Sequence, residues 1–181
     1  MTMRVSVWKA IAFITAVVVA ATTLTGVKAA HAICLALPRD SGFEQQRSGS
    51  VRSPWIGEGR VGIDRGKGYS LSGSNNAWAR NVSGWNAIRQ SVYLYKGELH
   101  TLTVAIRSSG NVRDGYTGFR NEAQRPVAEV KFGPLTRYRT LRVQFRPAVT
   151  GRYNLFAGFW ALGQDAWIQI DEVHLERPCW D

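Results

Sequence analysis

Short runs in which apolar and polar residues alternate recur along this chain, and that period of two confines it to strands. Side chains of a strand point to opposite faces in turn, whereas a helix needs apolar residues every three to four positions. Ile88, Gln90, Val92 and Leu94 share one face of a strand, with Arg89, Ser91, Tyr93 and Tyr95 on the other. Leu102, Val104 and Ile106 alternate with Thr101, Thr103, Ala105 and Arg107, and Leu141, Val143 and Phe145 with Arg142, Gln144 and Arg146. Tyr153 to Trp160 and Trp167 to Ile170 are apolar on both sides, and Val173 and Leu175 then alternate with Glu172, His174 and Glu176. Turn signals separate the runs: Tyr95-Lys96-Gly97-Glu98, Ser108-Ser109-Gly110-Asn111, Gly133-Pro134 and Thr150-Gly151. No amphipathic helical window lies outside the N-terminal segment. The pattern predicts an all-β chain, an antiparallel β-sandwich. The stretch 46–80, rich in Gly and Ser, is expected to hold the longest loops.

The first 32 residues follow a different logic. Arg4 and Lys9 give a positive start, Ile11 to about Ala21 is apolar, and Ala30-His31-Ala32 puts small residues where a signal peptidase reads. The apolar run is too short, and too interrupted by Thr22, Thr23 and Thr25, to serve as a membrane anchor. Residues 1–32 are therefore expected to be a cleaved signal peptide, leaving 33–181 as one secreted, extracellular domain. An uncleaved anchor is the alternative. A lipid-anchored Cys34 would need a small residue where Ile33 stands.

Export bears on charge and on cysteine. Cleavage removes Arg4, Lys9 and Lys28, so the whole-chain charge of +10 becomes +7. That excess is scattered arginine without a basic run, so nucleic acid is not expected as a partner and charge alone names no ligand. Cys34 and Cys179 lie at the two ends of the domain, and in an oxidising compartment the simplest expectation is one bridge between them. Free thiols or intermolecular pairing are the alternatives.

Several motifs, in order, resemble carbohydrate-binding modules of the family 4, 9 and 22 type. Asp40-Ser41-Gly42-Phe43-Glu44 resembles their Asn-Pro-Gly-Phe-Glu opening, and Trp85 through Gln90 and Val92 their Trp…Gln-x-Val strand. His100-Thr101-Leu102-Thr103 after Lys96-Gly97, Arg107 at that strand's end, and Tyr138 to Phe145 are similar to later motifs. Ile170-Asp171-Glu172-Val173-His174-Leu175 resembles the close of these modules. The resemblance implies a galactose-binding-like jelly roll. It also implies a structural calcium, with Glu44 and Asp171 as carried-over ligands and backbone carbonyls of the 64–70 loop completing the set. The alternative for either carboxylate is a loop cap or an arginine partner.

Catalytic chemistry has little to stand on. His100 and His174 sit inside predicted strands, no nucleophile stands in a recognisable turn, and no two acids are paired by spacing. The chain is not expected to be an enzyme. Aromatic residues are the richer signal, because sugar rings stack on Trp and Tyr while their hydroxyls bond Arg, Asn, Gln and Asp. If Leu155, Ala157, Phe159, Ile168 and Ile170 face inward, then Phe156, Trp160, Trp167 and Gln169 face out. Trp160 and Trp167, on adjacent antiparallel strands joined by the turn Ala161 to Asp165, are expected to form one platform. Tyr93 and Tyr95 extend it, Arg89, Arg107 and Gln169 bind hydroxyls beside it, and Tyr116 joins it. The expected function is a monomeric, noncatalytic binder of a polysaccharide or cell-surface glycan. The rivals are a protein-interaction or adhesion domain, and a glycan hydrolase or lyase.

Overall fold

In a computed structural model, which describes residues 33–178, every regular element is a strand. The expected signal peptide and Cys179 lie outside the described residues. The order is β1 (Ile33–Leu37), β2 (Ile56–Glu58), β3 (Val61–Arg65), β4 (Asn75–Leu94), β5 (His100–Ser108), β6 (Asp114–Arg120), β7 (Pro126–Phe132), β8 (Arg139–Phe145) and β9 (Gly151–Pro178). All pairings are antiparallel. The stretch 46–80 holds two short strands, the start of β4, part of the loop 38–55 and all of the loop 66–74.

Two long strands organise the jelly roll. β4 pairs along almost its whole length with the Gly151–Ile170 part of β9, from Ala77↔Ile170 to Leu94↔Gly151. On the first half of that ladder β3 flanks β4, and β5, followed by β8, flanks β9. On the second half β2 flanks β4, and β6, followed by β7, flanks β9. The ladder shifts register between Asn81 and Ser83, where Gly84 (φ 74°) and Gly163 (φ 86°) take left-handed backbone that other residues disfavour. At this bulge both strands change the phase of their inward residues. Ala77 and Ala79 give way to Ile88, Val92 and Leu94, and Phe159 to Ile168.

The halves face each other across one core. Phe119 of β6 meets Phe145 of β8 at 5.2 Å between ring centroids, and Phe145 meets Tyr153 at 5.3 Å. Leu102, Val104, Ile106, Leu155, Ile168 and Ile170 are buried between them, each contributing about 1.5–3 kcal/mol through lost water contact. The opening motif closes one end of this core. Phe43 packs on Trp55 at 5.1 Å, and the Trp55 indole N–H donates to the Asp40 carbonyl at 2.9 Å.

His100 shares the inward face of β5 and is 1% exposed. Burial pushes its pKa below the ordinary value, against Glu98, whose charge pulls it up, while Arg177 also lowers it. The folded state therefore keeps this ring neutral where the unfolded chain would already take a proton. Stability should be full above the unfolded value of about 6.5 and fall as pH drops below it, by at most about 1.4 kcal/mol per pH unit. Melting curves between pH 7.5 and 5 should show the fall, and His100→Phe should flatten it. An equal slope in the variant would place the pH dependence elsewhere.

Candidate functional site

A cleft of about 530 Å³ opens on the outer face of the β3–β4–β9–β5 half. The alternation that buries Ile63, Ala77, Ala79, Ile168 and Ile170 turns Asp64, Trp78, Arg80, Trp167 and Gln169 outward. Across the register Trp78 stands opposite Gly62 on one side and Gln169 on the other. The Trp78 indole lies over Gly62, where any added Cβ would collide with its ring, so glycine at that position lets the indole lie across β3.

Arg107 is the centre of this surface. Its guanidinium carbon sits 5.9 Å from the Tyr69 ring centre, 5.4 Å from Tyr138 and 5.7 Å from Trp167. The Arg107 Nε donates to Gln169 Oε1 at 2.7 Å, and the Gln169 amide donates to Asp64 Oδ2 at 3.3 Å. Asp64 also pairs with Lys67 at 3.2 Å. Tyr138 donates its hydroxyl to the Tyr69 carbonyl at 2.9 Å, and burial raises its phenol pKa. The result is aromatic walls around a polar floor in which each hydrogen bond sets the next. On the rim, Arg80 makes a two-pronged pair with Asp165 and holds that carboxyl below its ordinary pKa.

The loop 66–74, which carries Tyr69, is held by the two carboxylates expected to bind calcium. Asp171, fully buried, accepts the Leu71 and Ser72 N–H groups at 2.8 and 3.1 Å on Oδ2 and the Glu172 N–H at 2.8 Å on Oδ1. Burial raises its pKa, and these donors oppose the rise. Glu44 Oε1 accepts from Ser74 and Asn75 at 2.8 and 2.9 Å. Glu172 bonds Ser72 Oγ and His174. The three carboxylates surround Gly42, whose Cβ position lies 3.8 Å from Asp171 Oδ1 and Glu172 Oε1 and 3.9 Å from Glu44 Cγ. Among the described residues no group of three or more His, Cys, Asp or Glu is arranged to hold a metal. In this geometry the carboxylates clamp a loop.

The single aromatic platform expected from the sequence divides into parts. Trp167, Arg107 and Gln169 line the cleft. Trp160 does not stand on a strand adjacent to Trp167: the segment Ala161 to Asp165 bends without reversing, so both belong to β9 on opposite sides of the bulge. Trp160, 48% exposed, packs on Trp85 at 5.6 Å and lines a second groove with Tyr116 and Arg120. Beneath that groove Arg120 lies 4.1 Å from the Phe156 ring centre, and Arg89 is tied to Glu58 at 2.8 Å and Asn154 at 3.1 Å. Tyr93 and Tyr95, both exposed, pack edge to face on each other at 5.4 Å, outside the residues that line either site. Trp78, Tyr69 and Asp64 belong to the site although no strand pattern singled them out, and Tyr138, which began a quoted motif, was not expected there. Ala77-Trp78-Ala79-Arg80 does alternate small inward residues with large outward ones, and that signal was present.

Strand order and pairing together define an antiparallel jelly-roll β-sandwich with an aromatic-walled cleft on one outer face. No protein-family model and no curated protein matches the chain. Solved structures do. The module TmCBM61 in complex with β-1,4-galactotriose is similar over 77% of this chain and 97% of its own, with a TM-score of 0.56 and 16% identity. The CBM22-1 xylan-binding domain of Xyn10C from Paenibacillus barcinonensis matches over 78% and 94%, with a TM-score of 0.54 and 14% identity. The Stig cyclase Fisc from Fischerella sp. TAU matches over 82% and 100%, with a TM-score of 0.61 and 14% identity. Likeness at this level establishes the fold, which hosts both binding and catalysis, and leaves function to the site.

Proposed function

We propose that the chain is a secreted, noncatalytic carbohydrate-binding protein that seats a polysaccharide in the cleft of Tyr69, Trp78 and Trp167. The observation that carries this reading is the combination of aromatic walls with the Arg107–Gln169–Asp64 hydrogen-bond chain on one outward face. Rings stack on the walls and hydroxyls exchange bonds with the floor. The acids at the site favour binding over hydrolysis, since each is already engaged. Asp64 meets Lys67 and Gln169, Asp165 meets Arg80, and Asp171 meets backbone N–H groups. A hydrolytic pair needs one carboxylic acid and one carboxylate left to face the substrate. The similar modules complexed with galactotriose or named for xylan support the same reading by analogy. A polysaccharide array probed with the exported protein tests it: binding to at least one polysaccharide is expected, and silence across the array overturns the proposal.

Calcium at Glu44 and Asp171 accompanies this reading as a further proposal from the resemblance. An ion bound only by the folded state stabilises by mass action. Treatment with EDTA should then lower the melting temperature, and added calcium should restore it. Melting that ignores EDTA would leave the two carboxylates as loop clamps alone.

A further inference from the structure

Cations outnumber carboxylates along the cleft. Arg60, Lys67, Arg80 and Arg107 line it, against Asp64, with Asp165 on the rim. Lys67 is neutralised by Asp64 and Arg80 by Asp165. Arg60 stands close enough to help lower the Asp165 pKa, but that carboxylate is already held in two prongs by Arg80. Arg107 is the stronger case. It is partly buried, its Nε is spent on the neutral oxygen of Gln169, and its two terminal nitrogens have no hydrogen-bond partner among the described residues. Three rings surround the guanidinium at 5.4–5.9 Å, which favours the cation but offers its N–H groups no acceptor. The bond to Gln169 fixes the plane of the fork. A sugar hydroxyl would satisfy one N–H and leave the charge uncompensated, whereas a carboxylate or sulfate takes two parallel N–H bonds and neutralises it.

Resting on the carbohydrate reading above, we infer that the ligand is an acidic polysaccharide, and that Arg107 grips the carboxylate or sulfate of one residue while the neighbouring ring stacks on Trp167. Arg60, exposed beside the cleft, attracts the chain at longer range. The surplus positive charge of the cleft is a selectivity filter.

Calorimetric titration of the exported protein with polygalacturonate, a sulfated galactan and neutral β-1,4-galactan tests this. One acidic polymer should bind about tenfold tighter than the neutral one, as expected for a charge-assisted two-pronged bond. Which acid wins distinguishes carboxylate from sulfate. Arg107→Gln should erase the preference, and Trp167→Ala should weaken the acidic ligand as well. Equal affinity for acidic and neutral polymers, or a preference that survives Arg107→Gln, overturns the inference while carbohydrate binding stands. Acidic binding unmoved by Trp167→Ala also overturns it, because the attraction would then be to the basic surface in general. Silence from every polysaccharide brings down the function proposal itself. If Arg107→Gln does not fold, Arg60→Gln should shrink the preference, and no change there counts against the inference.

Discussion

Asp171→Ala should lower the melting temperature by about 6–12 °C, the equivalent of about 3 kcal/mol for a domain of this size. The carboxylate accepts three backbone N–H bonds in a position closed to water, two of them from Leu71 and Ser72 across a sequence separation of about 100 residues. Bonds to a charged acceptor are worth about 1.5–3 kcal/mol each in isolation, and their loss is not additive because the freed loop can meet water. Asp171→Asn should cost clearly less, since one oxygen still accepts and no buried charge needs compensation. Burial raises the Asp171 pKa against the three N–H bonds, so the charge itself is a burden to the fold and what the carboxylate contributes is its bonds to the loop. The functional consequence follows from what the loop carries. With its anchor gone, Tyr69 should leave the side of Arg107, and a fluorescence or hydrogen-exchange probe of residues 66–74 should report faster opening. Unchanged melting together with unchanged exchange would mean that Glu44 holds the loop alone.

The sequence made the second half of the molecule legible and hid much of the first. β5, β8 and the two arms of β9 bury Leu, Val, Ile and Phe at every second position, so their faces could be counted. Among its apolar residues the first arm of β4 buries only Ala77 and Ala79 and lies beside Gly62 of β3, residues too small to stand out, and Trp78 and Asp64 were lost with them. Trp167, Arg107 and Gln169 were read as outward and beside one another, and the cleft unites them. Trp160 was read as outward too, which it is, but on the same surface, which it is not. A bulge adds a residue without adding an apolar signal, so counting by twos gives each run its own faces and cannot say how two runs are joined across it. The run Ala161-Leu162-Gly163-Gln164-Asp165 looked like a reversal because glycine marks turns and bends alike. Tyr69 and Tyr138 reach the cleft from loops, where periodicity is silent. The motif residues have structural work: Phe43 fills the core, Glu44 and Asp171 hold the 71–75 segment, and Gln90 exchanges two hydrogen bonds with the Arg39 backbone.

Trp167→Ala should weaken polysaccharide binding by about one to two orders of magnitude, while Trp160→Ala leaves the affinity near that of the parent. Stacking of one ring on an indole is worth about 1–3 kcal/mol by analogy with base stacking, and each 1.4 kcal/mol is tenfold in affinity. Trp167 supplies one wall of the cleft and flanks Arg107, so its loss removes both a stacking face and a side of the cage that fixes the guanidinium. Trp160 is the more exposed of the two and by exposure alone would be the better platform. Its surroundings decide otherwise. It leans on Trp85, and the polar groups below it are consumed by one another: Glu58 accepts from Trp85 at 2.7 Å, from Arg89 at 2.8 Å and from Arg120 at 3.2 Å. A stacked sugar there would find most of those groups already taken, whereas the cleft offers an arginine fork with open N–H groups. Neither change touches the inner face of the sandwich, so circular dichroism and melting should stay near the parent protein for both. The opposite result, with binding lost in Trp160→Ala and kept in Trp167→Ala, would move the ligand to the β4–β9–β6 face and sink the cleft as the site. A large fall in stability for Trp167→Ala would mean instead that its ring serves the fold, as the prop of Arg107, and that the stacking surface is carried by Trp78 and Tyr69.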